Sequence, residues 1–263
     1  LKSFGYRFID AEEGLLACNY SAKGRMSEPE NIVDEIERYS IFSKFENFDI
    51  VLKNKKILIT SGRTKENIDP VRYLSNNSSG KMGYSLAQAA VDLGAEVTLI
   101  SGPTNLKVPN GLEKFIFVES ALEMYEKVDE YFKNTDIFIA CAAVADYRPK
   151  EYKNEKIKKS DSDFVIELVR NPDILLEMSK KKEKQLLVGF AAETNNIKEN
   201  ALKKLEKKNL DIIVANNASV MGSDENVIEI IKKDRTSVEI SQKSKMELAY
   251  DILSEVVCEL KKR

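Results

Sequence analysis

The chain has 263 residues, of which 43% are hydrophobic and 32% are charged, and its 41 basic side chains nearly balance its 43 acidic ones. This size predicts one domain with additions or two small ones, and the balanced charge argues against nucleic acid or an anionic membrane as a partner. No apolar run reaches the roughly 18 residues that cross a bilayer, so we expect a cytoplasmic protein, and the absence of histidine excludes Ser-His and Cys-His catalysis and the usual zinc-hydrolase ligands.

The first forty residues lack the alternation of strands and helices that follows them. Short apolar and glycine-containing stretches precede one short helix and a linker that contains phenylalanine. We expect residues 1–40 to be the C-terminal tail of another domain, residues 41–52 to be a linker and residues 53–263 to form the main domain. The cysteines are far apart and odd in number, which predicts reduced thiols rather than a disulfide framework: Cys18, Cys141 and Cys258.

The main domain begins with a strand, a loop, a helix and a second strand. The strands are predicted at 56–60 and 96–100 from their β-branched residues, and the helix between them has an apolar face and ends at a glycine. The loop before the helix, residues 72–83, is rich in small, hydrogen-bonding residues. Ser78, Ser79 and the N–H groups at the helix start predict a seat for a phosphate or a carboxylate.

This loop is neither of the two common phosphate-binding motifs. A P-loop needs a glycine five residues before its Gly-Lys pair and a serine or threonine after the lysine, but Ser75 and Met82 occupy those positions. No G-x-G-x-x-G follows the first strand, and no acidic residue ends the second strand, as a dinucleotide site requires. The sequence therefore predicts an anion site of another kind.

The rest of the chain continues the alternation of strands and helices. It predicts strands at 115–118, 137–145, 186–190 and 211–215, helices at 121–133 and from 197, a hairpin of 227–231 with 237–240, and a last helix at 245–260. Residues 147–163 are polar and rich in lysine, which predicts a mobile flap. The pattern as a whole predicts an α/β fold with a Rossmann-like, doubly wound, mainly parallel sheet and a C-terminal antiparallel hairpin, and ligands bind such sheets at the carboxyl ends of the strands.

A series of motifs along the chain resembles a known enzyme family. The motifs are Ile59 to Gly62, Asp69 to Arg72, Ser75 to Gly83, Ala142 to Tyr147, Lys156 to Lys159, Asn171 to Leu175, Gly189 to Thr194 and Asn209 to Asp211. From Lys53 to its end, the chain resembles bacterial phosphopantothenoylcysteine synthetase, the CTP-dependent ligase half of a bifunctional protein of coenzyme A biosynthesis. Residues 15–29 resemble the substrate-clamp tail of the other half, a flavin-dependent phosphopantothenoylcysteine decarboxylase.

The resemblance implies a ligase that joins 4′-phosphopantothenate to L-cysteine. The phosphopantothenate carboxylate would attack the α-phosphate of CTP and release pyrophosphate, and the cysteine amine would then attack the acyl cytidylate and release CMP. The resemblance also implies CTP as a co-substrate, Mg²⁺, and a homodimer of ligase domains, with a larger oligomer through the decarboxylase half. FMN is implied only for the decarboxylase part, which is mostly absent from this chain.

Three residues match catalytic positions of these families. Lys156 matches the flap lysine that contacts CTP and supports formation of the acyl cytidylate, and Asn76 matches the asparagine that converts this intermediate to product. Without that context, the simpler interpretations are a solvated lysine in a charged loop and an asparagine chosen for a turn. Cys18 matches the proton-donating cysteine of the decarboxylase, although Asn19 replaces the usual glycine, and it would act only with a complete decarboxylase domain.

Further positions match ligand-binding residues of the family. Arg72 and Asn76 match the phosphopantothenate site, whereas no metal ligands are indicated. Arg63 and residues 65–67 replace residues that are more usual in this loop. Taken singly, most matches have a plainer interpretation, such as a loop cap for an aspartate or a core position for a phenylalanine. The matches to the CTP site are Ser78, Ser79, Gly80, Asp146, Lys156, Pro172, Asp173, Ile174, Leu175, Phe190, Lys204 and Lys208.

Two other functions stay open from the sequence. A doubly wound sheet also suits an NADPH-dependent reductase, although the missing dinucleotide motif argues against it. A non-catalytic nucleotide-binding module would keep the seat at residues 78–83 but would not need Lys156 or Asn76. A preference for CTP over ATP has no side-chain signature, because the base is expected to be read by backbone groups.

Overall fold

The structure is a computed structural model that describes residues 6, 8–15, 20–44, 52–159, 163–193, 195–217 and 225–263. Cys18 and most of the predicted linker lie outside these residues. The chain divides into two compact units, residues 1–46 and residues 47–263, and each is considered by itself. No helix in the described part of the chain is long and apolar enough to cross a membrane.

The first unit contains a short hairpin and one helix. Strand β1 (Glu12–Leu15) pairs antiparallel with β2 (Ser21–Arg25), and helix α1 (Pro29–Phe42) follows. Proline suits the first turn of a helix, because the N–H that it lacks would have no partner there. The Glu12 carboxylate accepts hydrogen bonds of 2.8 Å from Ser27 Oγ and Asn31 Nδ2, which ties the hairpin to the helix start. Helix α1 continues past residue 40, where the sequence places its first boundary.

The second unit is a three-layer α/β structure. In chain order its elements are β3 (Lys56–Ser61), β4 (Lys65–Asn67), β5 (Tyr73–Ser75), α2 (Lys81–Asp92), β6 (Glu96–Ser101), β7 (Lys114–Phe117), α3 (Ala121–Phe132), β8 (Ile137–Ala140), β9 (Tyr147–Pro149), β10 (Leu168–Arg170), α4 (Ile174–Lys180), β11 (Leu186–Glu193), α5 (Ile197–Lys207), β12 (Ile212–Asn217), β13 (Glu225–Lys232), β14 (Ser237–Ser244) and α6 (Lys245–Leu260). Eight of these strands form one sheet.

The strand order of this sheet is β14-β13-β12-β11-β8-β3-β6-β7. The six strands from β12 to β7 run parallel, whereas β13 and β14 are antiparallel to their neighbours. Numbered along the chain, the parallel strands have the order 3-2-1-4-5-6 of a doubly wound, dinucleotide-binding type of sheet. The predicted fold class is therefore confirmed, including the antiparallel hairpin at the C-terminal end.

Helices cover both faces of the sheet. On one face α2 packs against α6, and Tyr250 Oη donates a 2.8 Å hydrogen bond to Asp92 Oδ2 between them. On the other face α3, α4 and α5 share one apolar core with the central strands. The strands β3, β8 and β11 are almost wholly buried, which explains why they read as continuous apolar runs in the sequence.

In the second unit, two hairpins and one helix were not predicted. The hairpins β4–β5 and β9–β10 lie outside the main sheet, and α4 begins within the segment whose backbone was expected to read the base. The run 137–145 forms a strand only to Ala140. The predicted flap at 147–163 begins with an ordered strand, β9, that pairs with β10. We call residues 150–167, which connect these two strands, the flap loop.

Candidate active site

The chain crosses between the two halves of the sheet where β3 and β8 lie side by side. From β3 the chain continues to β6 on one side, and from β8 it continues to β11 on the other, so the loops after β3 and β8 separate at this point. A crevice at the carboxyl ends of the strands is the usual ligand site of such a sheet. Residues 62–80 after β3 and residues 141–173 after β8 contain most of the predicted site residues.

The two loops remain joined beyond the ends of their strands. Thr60 Oγ1 accepts from Ala142 N at 3.4 Å, Gly62 O accepts from Ala143 N at 2.9 Å, and Thr64 Oγ1 accepts from Ala145 N at 3.0 Å. Threonine hydroxyls thus replace the backbone carbonyls that a regular strand would provide. They hold a chain of small residues in an irregular path over the sheet edge.

The predicted anion seat lies at the start of α2. Gly80 is the N-cap residue, has a φ of 79° and provides no side-chain cap. Ser78 Oγ accepts from Gly80 N at 3.3 Å, and Ser79 Oγ accepts from Lys81 N at 3.4 Å. A hydroxyl that accepts a bond keeps its own proton for donation, so both serines can donate to an anion at the positive end of the helix. Arg63 Nη1 donates to Ser78 O at 2.6 Å, which fixes the backbone of the loop at this serine.

Glycine at position 83 brings this helix very close to β3. A Cβ atom there would lie 2.3 Å from Ser61 Oγ, and Ser61 Oγ in turn donates a 3.0 Å bond to Gly80 O. No larger residue fits without moving the helix away from the strand. The start of α2 is therefore packed directly on the end of β3, which fixes the seat relative to the sheet.

Asn76 joins the seat to the loop after β8. Its Nδ2 donates a 3.0 Å bond to Val144 O, while the rest of the side chain is exposed. Asp146, two residues beyond Val144, is also exposed, and its carboxylate has no hydrogen bond or ion pair among the described residues. The structure thus places Asn76 and the segment containing Asp146 side by side.

Asn171 links this loop to the start of α4. Its N–H donates to Asp146 O at 2.8 Å, and its Nδ2 donates to Ala145 O at 2.8 Å. Pro172 and Asp173 follow directly, and Asp173 caps α4 by accepting from Leu176 N at 3.1 Å. The segment predicted to read the base is therefore fixed against the segment that carries Asp146.

The two predicted lysines at the C-terminal end of α5, Lys204 and the C-cap residue Lys208, contact this same region. Lys208 Nζ lies 2.8 Å from the Asp173 carboxylate, and Lys204 Nζ donates to Phe190 O at 2.6 Å. Burial opposes ionisation of Asp173, but its hydrogen bonds from Lys208 and Leu176 and the charge of Lys204 outweigh burial and lower its pKa. Asp173 is therefore an anion that holds Lys208 in place.

Two predicted contacts have a structural role in the core. The side chains of Ile174 and Leu175 are buried and belong to the apolar core, so only their backbone groups remain for a ligand. Phe190, in the middle of β11, is only partly buried. A Cβ atom at Gly189 would lie 2.9 Å from Leu175 Cδ2, so this glycine allows α4 to approach β11 closely.

Arg72 and Lys156 occupy the outer part of the site. Arg72 Nε and Nη2 donate to Asp69 Oδ2 at 3.0 and 2.6 Å, and Nη2 also donates to Ile157 O at 2.9 Å. The Arg72 guanidinium lowers the pKa of the Asp69 carboxyl far below its usual value. Lys156, next to Ile157, is exposed and has no hydrogen bond or ion pair among the described residues. Among the described residues, no hydrogen bond or ion pair joins it to the seat at Ser78.

Several residues that organise the site were missed by the sequence interpretation. Asp69, Asn171, Thr60 and Thr64 carry its buried or bridging hydrogen bonds, yet none was assigned a role. An Asp-Pro and an Asn-Pro pair mark the first two as turn residues, which is a signal that sequence reasoning could have used. Burial raises the pKa of the Cys141 thiol to about 12, so this cysteine at the end of β8 is not a nucleophile at neutral pH.

A separate cavity of about 410 Å³ lies among β4, β9 and the start of α3. It is polar, but two of its charges already pair with each other: the Glu119 carboxylate accepts from Lys65 Nζ at 2.9 Å and also from Asn67 Nδ2 at 3.1 Å. None of the predicted site residues lines it. The crevice between the loops after β3 and β8 is therefore the better candidate for a reacting anion.

Comparison with known proteins gives matches over most of the chain. Residues 52–259 match the family model described as the DNA/pantothenate metabolism flavoprotein C-terminal domain. The coenzyme A biosynthesis bifunctional protein CoaBC of Bacillus subtilis (strain 168) is 48% identical over 96% of this chain and 62% of its own length. The protein of the same name from Borreliella burgdorferi is 44% identical over 96% of this chain and 64% of its own length. This chain thus spans about three fifths of the curated relatives that it matches.

A solved structure has the same fold. The crystal structure of the C-terminal domain of a coenzyme A biosynthesis bifunctional protein CoaBC superposes with a TM-score of 0.71 at 46% sequence identity. The match covers 81% of this chain and 99% of that one.

Proposed function

Because the chain belongs to the family of the DNA/pantothenate metabolism flavoprotein C-terminal domain, we propose that it is a phosphopantothenate–cysteine ligase that uses CTP. The observation that carries the proposal is the meeting of the loops after β3 and β8. There, Asn76 is bonded to Val144 O, Asp146 lies beside it without a partner in the described part of the chain, and an anion seat adjoins both. Relatives named for coenzyme A biosynthesis support the choice of substrates.

In the first step, the carboxylate of 4′-phosphopantothenate attacks the α-phosphate of CTP. The new bond joins a carboxylate oxygen to phosphorus, the bond to the bridging oxygen breaks, and pyrophosphate leaves. Negative charge grows on the phosphate oxygens during this step, and it is stabilised by fixed N–H groups and by lysines. We assign this task to the seat at 78–80 and to Lys156, with Lys204 and Lys208 near the nucleotide.

In the second step, the cysteine amine attacks the acyl carbon, and CMP leaves. The carbonyl oxygen becomes negative as the tetrahedral intermediate forms, so it needs a hydrogen-bond donor that is already in position. Asn76 is held by its bond to Val144 O, and its second Nδ2 proton is free to donate in this way. Arg72 would bind the phosphate or carboxylate of phosphopantothenate from the outer side of the site.

Asp173 and the residues around it suit recognition of the base. Residues 172–175 contain the start of α4. The Ile174 and Leu175 side chains anchor the backbone of this segment in the core. Discrimination by fixed backbone groups is compatible with the absence of a base-reading side chain.

Mg²⁺ is usually held by one or two carboxylates together with substrate phosphates, and Asp146 is a suitable carboxylate. When bound with CTP, the ion would neutralise phosphate charge.

We further propose that the ligase domain acts as a homodimer in the cytoplasm. Cys18 would act only beside a complete flavin-binding decarboxylase domain with FMN, and we assign no decarboxylation to this chain by itself. A nucleotide-binding module without turnover and an NADPH-dependent reductase remain the competing functions. Neither explains a donor such as Asn76 placed beside an anion seat.

The test is an assay of pyrophosphate release from CTP. We expect release that requires Mg²⁺ and phosphopantothenate, and formation of phosphopantothenoylcysteine and CMP only when cysteine is also present. Replacement of CTP by ATP measures base selectivity in the same assay. Tight binding of CTP without turnover would favour the module, whereas oxidation of NADPH would favour the reductase. Either result would contradict the ligase.

A further inference from the structure

The carboxylate of Asp69 is buried and fully engaged. Its side chain has no exposed surface, Oδ1 accepts from Val71 N and Arg72 N at 2.8 Å each, and Oδ2 accepts from the Arg72 guanidinium and from Ile157 N, the latter at 3.1 Å. The first two bonds form an Asx turn, in which an aspartate side chain accepts from backbone N–H groups just ahead in the chain. The bonds from the Arg72 guanidinium stay within the turn, whereas the bond from Ile157 N joins it to the flap loop.

Arg72 contacts the flap loop at two places. Its Nη2 donates to Ile157 O at 2.9 Å, and its guanidinium lies 5.8 Å from the centre of the Phe164 ring. A guanidinium at this distance from an aromatic ring is attracted to it. Nη1 has no hydrogen-bond partner in the described part of the chain, so one edge of Arg72 stays open to an anion.

A third contact fixes the same short turn to the flap loop. Lys153 N donates to Ile68 O at 3.0 Å, and the turn is closed by a 2.8 Å bond from Ile68 N to Arg72 O. Lys156 lies between the two attachment points at 153 and 157. Since its own side chain has no partner among the described residues, its position follows from the backbone on either side.

We propose that Asp69 is a positioning residue for the reaction: through Ile157 N and through Arg72, it holds the flap loop so that Lys156 faces the activated phosphate. The catalytic consequence rests on the proposed ligase function, whereas the hold on the flap loop does not. An ionised carboxylate makes hydrogen bonds about twice as strong as a neutral one does. The Arg72 guanidinium lowers the pKa of the Asp69 carboxyl, so this carboxylate stays ionised in more acidic solution than an ordinary aspartate does.

The deciding variant is Asp69→Asn. An amide at this position can still accept from Val71 N and Arg72 N, but its NH₂ group then faces the donors of Arg72 and Ile157. Asp234→Asn is the matched control, because Asp234 caps a similar turn by accepting from Thr236 N at 2.9 Å in the β13–β14 hairpin. A second variant, Ile157→Pro, removes one N–H of the flap loop and leaves the Asp69–Arg72 pair in place.

Two measurements separate the hold on the flap loop from the ligase function. Amide hydrogen exchange of residues 150–159 is expected to become about tenfold faster in Asp69→Asn and Ile157→Pro, and to stay unchanged in Asp234→Asn. In the pyrophosphate assay, we expect kcat to fall about 10- to 100-fold in the first two variants while KM for CTP changes less than about threefold. A purely structural defect would lower the amount of active enzyme and the thermal midpoint, without loosening the flap loop selectively.

The outcomes are distinct. If wild type releases no pyrophosphate but the exchange pattern is as expected, the ligase assignment fails and the hold on the flap loop stands. If Asp69→Asn folds with wild-type exchange in the flap loop, or loosens it with an unchanged kcat, the positioning role is wrong. If Asp69→Asn does not fold, Ile157→Pro decides by the same two criteria.

Discussion

The lysines of the candidate site fall into two groups that the protein holds differently. Lys208 on α5 has a side chain that is 14% exposed and pairs with Asp173 at 2.8 Å, and Lys204 bonds to the backbone of Phe190. Lys156 in the flap loop is exposed, and its ammonium has no partner in the part of the chain that the structure describes. The side chains of Lys204 and Lys208 are therefore held by neighbouring residues, whereas Lys156 is held only through the backbone on either side of it.

This difference indicates separate tasks. A lysine that already has a counter-ion shapes the field of the site before the nucleotide binds, and it loses part of that pairing if it turns to a phosphate. A lysine without a counter-ion keeps its full charge for the phosphate whose charge grows during the reaction. We therefore expect substitutions of Lys156 to affect turnover, and substitutions of the α5 lysines to affect nucleotide binding and stability.

The largest effect is expected for Lys156→Gln. Removal of the free charge should lower kcat for pyrophosphate release by about 10²- to 10³-fold, with a thermal midpoint equal to that of wild type because the ammonium has no hydrogen bond or ion pair within the described residues. Lys158→Gln, two residues along the same exposed segment, is the control. An equal loss in both variants would show that the general charge of the segment matters, and not the position of Lys156.

The next largest effect is expected for Asn76→Asp. A carboxylate cannot donate to Val144 O or to the acyl oxygen, so overall turnover should fall about 100-fold, with the acyl cytidylate accumulating as the second step slows. Quenched-flow assays with labelled CTP measure this intermediate. Asn77→Asp adds the same charge next to it, without removing the bond to Val144. Normal turnover in Asn76→Asp would refute its role.

A smaller effect is expected for Lys208→Gln. The KM for CTP should rise about tenfold, and the loss of one half-exposed ion pair should cost about 0.5–1 kcal/mol of stability. Because the pKa of Asp173 is lowered in the folded protein, its contribution to stability is present above the unfolded pKa and disappears as the pH falls through the folded pKa. Urea unfolding should thus show a difference between wild type and Lys208→Gln at pH 7 that shrinks below about pH 4. A difference that is constant with pH would contradict the pairing.

The smallest effect is expected for Lys203→Gln. Lys203 stands next to Lys204 on α5, but it is 68% exposed and pairs only with Glu199 four residues earlier. Exposed pairs of this kind contribute about 0.3–0.5 kcal/mol, so stability should change by no more than that and the KM for CTP should not change. A clear rise in KM would mean that the whole lysine-rich face of α5, rather than its two engaged members, attracts the nucleotide.

The strands of the main sheet were predicted well from the sequence, because strands that are buried on both faces are rich in apolar residues. The runs at 56–60, 96–100 and 186–190 consist mainly of apolar and β-branched residues, and each is a central strand in the structure. The hairpins β4–β5 and β9–β10 were not predicted, because each strand has only three residues and is too short to show an alternating pattern. Their pairing depends on contacts made across the chain.

The candidate site was predicted only in part, because its hydrogen bonds and ion pairs also join residues that are far apart in the sequence. Motifs indicated which residues matter, such as Asn76 and Asp173, but a motif does not show which partner each residue has. The Asn76–Val144 bond spans 68 positions and the Asp173–Lys208 pair spans 35. Such pairs are determined by the sheet topology, so they are visible only after folding. The roles proposed for Lys156 and Asn76 remain predictions until the variants are assayed.

The contact between Gly83 and Ser61 has a consequence for inhibitor design. Because the first turn of α2 lies against the end of β3 with no space for even one methyl group, the serine-lined seat cannot shift towards the sheet to adapt to a ligand. A compound aimed at it has to match the positions of the two serines as they stand, and its chemical variety is better introduced at the other end, towards α4 or the flap loop.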